Sequence, residues 1–230
     1  MERLVSYRFD GAVASVIMDD GKVNAMSPDM IAELNNALDR AEADRAVVLL
    51  TGREGVLSAG FDLPLLRAGG PDATAMVRSG FELAARILSF PRPVVIACGG
   101  HAVAMGVFLL LSGDYRIGVA GPYKLMANEV AIGLTMPRAA VEILRQRLTP
   151  AYFNRAAILS ELCPPEHAVE AGFLDRVVEA AQLQDAARGA ANALSALDMQ
   201  AHAASKLRAR QPALDAIRAG IDAEYVAFRA

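Results

Sequence analysis

The chain reads as an α/β layered domain built on a mainly parallel sheet. Three observations carry that expectation. Strand-like and helix-like stretches alternate from residue 4 to about residue 130. Ala46-Val-Val-Leu-Leu-Thr51 is an unbroken apolar run, the pattern of a parallel strand covered on both faces. Pro93 to Gly113 contains no Asp, Glu, Lys or Arg, so a long block of chain has to be buried.

The elements follow in order. Residues 4–8 and 12–18 read as strands around Asp10-Gly11, a hairpin signal. Asp19-Asp20-Gly21-Lys22 is a turn by composition. Ser27 at a cap and Pro28 at a first helical position start a helix. Met30, Ile31, Leu34, Ala37, Leu38 and Ala41 keep its apolar spacing to about Ala43. A turn at Gly52 to Gly55 precedes Val56-Leu-Ser-Ala-Gly-Phe-Asp-Leu63. Gly69-Gly70-Pro71-Asp72 breaks the chain, and residues 73–89 form an amphipathic helix with Met76, Phe81, Leu83, Ala84, Ile87 and Leu88 inside. Phe90-Pro91-Arg92-Pro93 stops that helix.

The uncharged block then admits two readings. Its length suits a membrane span of roughly 20 residues, but Gly99-Gly100, His101 and Gly106 interrupt it and no basic anchor follows Leu111. The favoured reading is a buried strand at Val94 to Cys98, a glycine turn, and a buried helix at Val107 to Leu111. A helix start there exposes unpaired N–H groups that hold a negative oxygen. Further on, 137–148 and 150–160 read as helices, Pro164 to Gly172 as another, and Leu174 to Val178 as a short strand. From Ala180 the chain is Ala-rich and helical, with a break expected at Pro212. This tail has few large apolar residues, so it is expected to pack on the sheet domain or on a neighbouring subunit.

Composition narrows the function. The 230 residues are 54% hydrophobic and 21% charged, enough for a full core. A net charge of −3 without a basic block argues against a nucleic-acid partner. Two cysteines, Cys98 and Cys163, make neither a disulfide framework nor a metal site, and Cys98 reads as a buried thiol. Met1-Glu-Arg-Leu shows no charged-then-apolar signal pattern. A soluble, reducing, cytoplasmic setting is the default expectation, with no membrane partner and no metal.

Three pieces recur in order: Ser58-Ala59-Gly60-Phe61-Asp62-Leu63, then Gly100-His-Ala-Val-Ala-Met-Gly106 before a helix, then Asn128-Glu129-Val130 leading to Gly133 and Pro137. Each is weak alone. Together with Val23-Asn24-Ala25, Pro91-Arg-Pro-Val-Val-Ile-Ala97, Asp114-Tyr-Arg-Ile117 and Ala168-Val-Glu-Ala-Gly-Phe-Leu-Asp175, they resemble the crotonase family of enoyl-CoA hydratases and isomerases. The resemblance runs through nearly the whole chain. It implies a spiral of ββα units over residues 1–180 and a C-terminal helical region over 181–230 that forms a homotrimer or a dimer of trimers. It also implies an acyl-CoA thioester as substrate, with coenzyme A arriving as part of it and no separate cofactor.

The family pattern assigns roles to residues of this chain. The backbone N–H groups of Phe61 and Met105 become the two donors to the thioester oxygen, with Met standing where similar proteins carry Gly. Coenzyme A and substrate are expected along Val23, Asn24, Ala25, Ala59, Gly60, Phe61, Asp62 and Leu63, and at Gly106 and Phe108. Lys22 and Arg67 are candidates to meet phosphates, or are plain surface charges. His101, where similar proteins carry an aromatic, reads as a packing or hydrogen-bonding residue.

Hydratases of the family use two glutamates. This chain has Phe108 at the first position and Glu129 at the second. Asp114 reads as a structural turn residue, and Glu82 and Glu142 sit on amphipathic helices. Hydration divides its proton work between two carboxylates, whereas a 3-enoyl to trans-2-enoyl shift needs one base as a shuttle. Similar isomerases keep the second glutamate, preceded by Asn, and lack the first. The pattern therefore points to an enoyl-CoA isomerase with Glu129 as its acid/base. The alternatives are a weak hydratase, thioesterase or decarboxylase of the same family, or a non-catalytic acyl-CoA-binding or scaffold subunit.

Overall fold

The computed structural model describes residues 3–227. Met1 and Glu2, at the head of the segment inspected for a targeting signal, and residues 228–230, at the end of the expected tail, lie outside the described residues. The hairpin forms as expected, β1 (Val5–Asp10) antiparallel to β2 (Val13–Met18). Next come α1 (Pro28–Ala43), β3 (Val47–Thr51), β4 (Gly55–Ser58), α2 (Leu63–Ala68), α3 (Gly70–Ser89), β5 (Val94–Cys98), β6 (Gly100–Val103), α4 (Met105–Ser112), β7 (Tyr115–Val119) and β8 (Leu125–Met126). The chain continues through α5 (Arg138–Arg145), α6 (Pro150–Leu159), α7 (Pro165–Ala171), β9 (Arg176–Val178), α8 (Leu183–Leu194) and α9 (Met199–Ala227).

One operation repeats three times. A strand enters a large sheet, the chain bends, and the next strand enters a small one. The large sheet runs β1-β2-β3-β5-β7-β9 and the small one β4-β6-β8. Every pairing after the first hairpin is parallel. The apolar run at β3 behaves as its pattern demands. Val48 and Leu50 enter the main core, while Val47 and Leu49 face a second apolar layer. Val95, Ala97, Ile117 and Val119 share that second layer with Leu183, Ala187 and Ala191 of α8. Both faces of the sheet are thus dry, and the C-terminal region supplies the outer cover.

The expected elements stand with four corrections. The glycine turn after β5 is a bend into β6, and both β6 and β8 escaped the sequence pattern because four and two residues are too few to show alternation. The bend requires Gly100, since a Cβ there would collide with the backbone of Gly55 on the paired strand. Helix α2 also went unread, because none of its six residues is buried and it has no apolar stripe. The break at Gly69–Gly70 narrows to Gly69, which ends α2 at φ +68°, and α3 begins at the next residue.

The fourth correction concerns Pro212. It lies inside a continuous α9, and the break in the tail falls between α8 and α9 instead. Tertiary contacts on both sides of the proline hold the helix through it. Before it, Lys206 Nζ and Arg210 Nη1 sit 2.7 and 2.8 Å from the carboxylate of Asp114. After it, Leu214, Ile217 and Ile221 are buried in the main core. Helix α9 packs on α3 and α5, so the tail folds onto its own chain. Among the described residues no helix is long and apolar enough to cross a membrane.

Asp114 is the structural turn residue expected of it. It accepts the N–H of Val94 at 2.7 Å as well as the Lys206 bond. Lys206 keeps only 3% of its side chain exposed, and burial pulls its pKa down to about 8 against the opposing pull of Asp114. Breaking such a pair strands a buried charge, a loss of about 3–5 kcal/mol. Asp114→Ala is therefore expected to lower the unfolding free energy by about 3 kcal/mol in urea titration. A loss below about 1 kcal/mol would show that α9 is held by its apolar face alone.

Candidate active site

Three chain exits meet at one end of the small sheet. β4 ends at Ser58 and runs on to Phe61, β6 ends at Val103 and runs on to Met105, and β8 ends at Met126 and runs on to Glu129. The strands are parallel, so all three exits leave from their carboxyl ends, where open α/β sheets place ligands.

The first two exits touch. A Cβ added at Gly60 would lie 2.8 Å from the Ala104 Cβ, 3.2 Å from the Val103 carbonyl oxygen and 3.4 Å from the Met105 nitrogen. Gly60 (φ +102°) precedes Phe61, and Ala104 (φ +50°, ψ −126°) precedes Met105. A Cβ on Gly106 would collide with the Ser58 carbonyl oxygen, so this glycine lets the first turn of α4 sit on the end of β4. Among the described residues no protein acceptor takes the N–H of Phe61 or of Met105. Met105 opens α4, where the first N–H groups have no intrahelical partner. Two free donors on adjoining turns can stabilise one developing oxyanion.

The third exit carries the acid. Glu129 is 7% exposed and is the only buried Asp or Glu among the described residues. Its Oε2 has no hydrogen-bond partner, and neither has the buried Oδ1 of the adjacent Asn128. Burial pushes the Glu129 pKa up to about 7, opposed weakly by its own backbone N–H. Its carbonyl receives the N–H groups of Ile132 and Leu134 at 3.1 and 2.9 Å, and Ser160 Oγ receives that of Ala131 at 3.1 Å, which fixes the turn after it. A desolvated carboxyl group near neutrality, with one oxygen free of any partner, can take and return a proton.

The remaining expected residues separate into walls and props. Segment 23–26 lies along 59–61, with Ala59 N donating to Val23 O at 3.0 Å and Met26 N to Gly60 O at 2.8 Å. Val23, Ala59 and Leu63 are exposed and Ala25 half-buried, forming an accessible rim. Asn24 is fully buried, with Nδ2 donating to Met18 O and Leu57 O, so its side chain clips β2 to β4. Asp62 caps α2 by accepting the Leu65 N–H at 2.9 Å. Phe108 is buried one turn into α4, its ring centroid 5.9 Å from that of Phe81. Phe81 in turn lies edge-on to Phe61 at 6.1 Å. His101 accepts the Lys124 N–H at Nδ1 and stacks edge-on with Tyr123, a packing role as expected. Lys22 and Arg67 are exposed. Cys98 is buried, and desolvation pushes its pKa up to about 12.

Two contributors had no readable signal in the sequence. Gly80 on α3 makes room for the Phe61 ring, which a Cβ there would strike. Ala104 takes a conformation that belongs almost wholly to glycine, at a strain of about 1–3 kcal/mol.

The comparisons with known proteins show the family. Residues 8–229 match the family model described as enoyl-CoA hydratase/isomerase. The chain is 32% identical to human mitochondrial enoyl-CoA delta isomerase 1 over 77% of its own length, and 33% identical to peroxisomal enoyl-CoA delta isomerase 2 of Arabidopsis thaliana over 64%. It spans 61% and 66% of those proteins, a little under two thirds of each. A probable enoyl-CoA hydratase of Mycobacterium avium is 29% identical over 96% of this chain and 82% of that protein. Among solved structures, the apo form of an enoyl-CoA isomerase from Mycobacterium tuberculosis superposes with a TM-score of 0.93 at 48% identity, covering 96% of this chain and 97% of that one. Human mitochondrial delta3-delta2-enoyl-CoA isomerase superposes at 0.91 with 28% identity, covering 98% and 90%.

The buried carboxylate makes a pH prediction with a definite sign. A folded pKa raised from 4.5 to about 7 means the folded protein holds the Glu129 proton more tightly than the unfolded chain does. That contribution is fully present below about pH 4.5 and is lost as pH rises through about 7. Glu129→Gln removes the penalty, so the variant should match wild type near pH 4.5 and exceed it by about 3 kcal/mol at pH 8. Urea unfolding across that range measures the difference, and a pH-independent one would contradict the desolvated carboxylate.

Proposed function

We propose, from the premise that this chain belongs to the enoyl-CoA hydratase/isomerase family, that it moves a double bond in an acyl-CoA thioester from the 3-position to the trans-2-position. The observation that carries the reading is Glu129, a buried acid whose Oε2 has no hydrogen-bond partner and whose pKa is pushed up to about 7, on the exit of β8 beside that of β6, whose following helix carries Phe108 where a hydratase would place a second acid. The names of the isomerase relatives, human and Arabidopsis, support it.

The steps balance on one base. The Glu129 carboxylate takes a proton from C2 of the 3-enoyl thioester. The C2–H bonding pair becomes the C1–C2 π bond of a dienolate, and negative charge moves to the thioester oxygen. The N–H groups of Phe61 and Met105 hold that oxygen. Protonated Glu129 then returns the proton to C4, the electrons fall back, and the double bond rests between C2 and C3. Burial serves both halves, since a carboxyl group near pKa 7 accepts and donates at neutral pH. Coenzyme A is part of the substrate, lying along the rim of Val23, Ala25, Ala59 and Leu63, and the reaction needs no further cofactor.

The same reading carries the homotrimer or dimer of trimers. Its support is an apolar surface beside the Glu129 turn, where Val130, Ile132, Leu134, Ile158, Leu159 and Leu162 are 37–68% exposed. A second reading, hydration of a 2-enoyl thioester, is favoured by the name of the Mycobacterium avium relative, which covers almost the whole of this chain.

Purified protein assayed with 3-enoyl-CoA and 2-enoyl-CoA separates the two. Isomerisation is expected to exceed hydration, with kcat/KM rising through about pH 7 and then levelling as Glu129 ionises. Glu129→Gln should lower it by about 10³-fold. Vigorous hydration of crotonyl-CoA, or an active Glu129→Gln variant, would sink the isomerase reading.

A further inference from the structure

Ala104 is the one residue bordering the site whose backbone is held in a conformation foreign to its side chain. At φ +50° and ψ −126° it occupies the first central position of a type II′ turn, where glycine is at home and a Cβ is not. Three other non-glycine residues have positive φ among the described residues, Asn24, Arg45 and Ser160. Of these, Asn24 and Ser160 each have a further structural task, since Asn24 clips two strands and Ser160 ends α6 in the left-handed helical region.

The backbone of Ala104 is fully tied. Its N–H donates to Met126 O at 2.9 Å, and its carbonyl accepts the N–H groups of Val107 at 2.9 Å and Phe108 at 3.3 Å. One turn therefore couples the exit of β8, which leads to Glu129, to the start of α4. The methyl group points the other way, against Gly60, leaving no space for a Cβ there. Each oxyanion donor thus follows immediately on a positive-φ residue, Phe61 on Gly60 and Met105 on Ala104, and those two residues are in contact. A smaller residue at 104 would relieve the strain and let the two turns approach or slide. The strain persists because the hydrogen bonds on both sides over-determine it.

We infer that Ala104 is a positioning residue for the reaction proposed above, its methyl group acting as the spacer that sets the distance between the Phe61 and Met105 donors. This rests on the acyl-CoA reading of the site and adds to it the element that fixes the geometry of the oxyanion hole. Small displacements of a preorganised donor have large effects on rate, and they act on the enolate more than on the bound thioester.

Ala104→Gly is the test, because glycine suits the backbone and the variant is expected to fold. Its Tm should equal or exceed that of wild type, by about 2 °C. Its kcat for 3-enoyl-CoA should fall about 10-fold or more while KM changes less than about threefold. Acetoacetyl-CoA supplies a spectroscopic readout. Wild type should raise the ultraviolet enolate absorbance of the bound ligand, and the variant should bind it with that absorbance diminished. A variant with wild-type kcat and enolate absorbance overturns the inference, as does one whose Tm falls in step with its activity. A wild-type protein that neither isomerises nor binds acyl-CoA overturns the proposed function instead, which separates the two failures.

Discussion

The arrangement depends on the register of three short parallel strands. Gly55 pairs with Gly100, and Val103 with Met126, so β4, β6 and β8 end together and send Phe61, Met105 and Glu129 out at one place. The pairing is possible because the neighbouring backbones come within a distance that no side chain permits. Gly100 against Gly55, Gly106 against Ser58 and Gly60 against Ala104 are each contacts that a Cβ would disrupt. The glycines bring the turns close, and the closeness sets the Phe61 and Met105 N–H groups on adjoining turns.

The large sheet and the C-terminal helices keep that corner dry and in place. Helix α8 covers the outer face of the large sheet. Helix α9 is fastened through Lys206 and Arg210 to Asp114, which lies two residues past the end of α4 and also receives the N–H of Val94 at the start of β5. Behind the donors, Phe61, Phe81 and Phe108 stack in series, with Gly80 giving room to the Phe61 ring. Glu129 itself is buried, and burial pushes its pKa up to about 7. Where a second carboxylate would let the site activate water, the chain places an aromatic ring. In the proposed reaction, that leaves Glu129 as the one group to move the proton.

Much of this was legible in the sequence, and the limits were physical. The long elements carried strong signals. Ser27-Pro28 marked the start of α1, and the apolar spacing of α1 matched its buried face residue for residue, while that of α3 found its large buried residues and left out Ala73, Gly80 and Ala85. The family resemblance, carried by the order of three short motifs that are each weak alone, gave Phe61, Met105 and Glu129 their expected roles, and the strands that lead to them leave the small sheet at one end. Strands β6 and β8 were too short to alternate, yet they align the site. Pro212 misled because propensity is local, whereas the contacts that carry α9 through it come from Asp114 and the core. Desolvation of Glu129 and the strained turn at Ala104 are properties of the packed state, with no counterpart in a linear pattern.

In the proposed reaction one buried carboxylate removes and returns the proton. It is tested most directly by following a label. With 3-enoyl-CoA deuterated at C2, a single shielded Glu129 should deliver a substantial share of the deuterium to C4 of the trans-2 product, because a group only 7% exposed exchanges slowly with water. Product that carries no deuterium at C4 from the earliest turnovers would mean that different groups take and give the proton, and the account would fail.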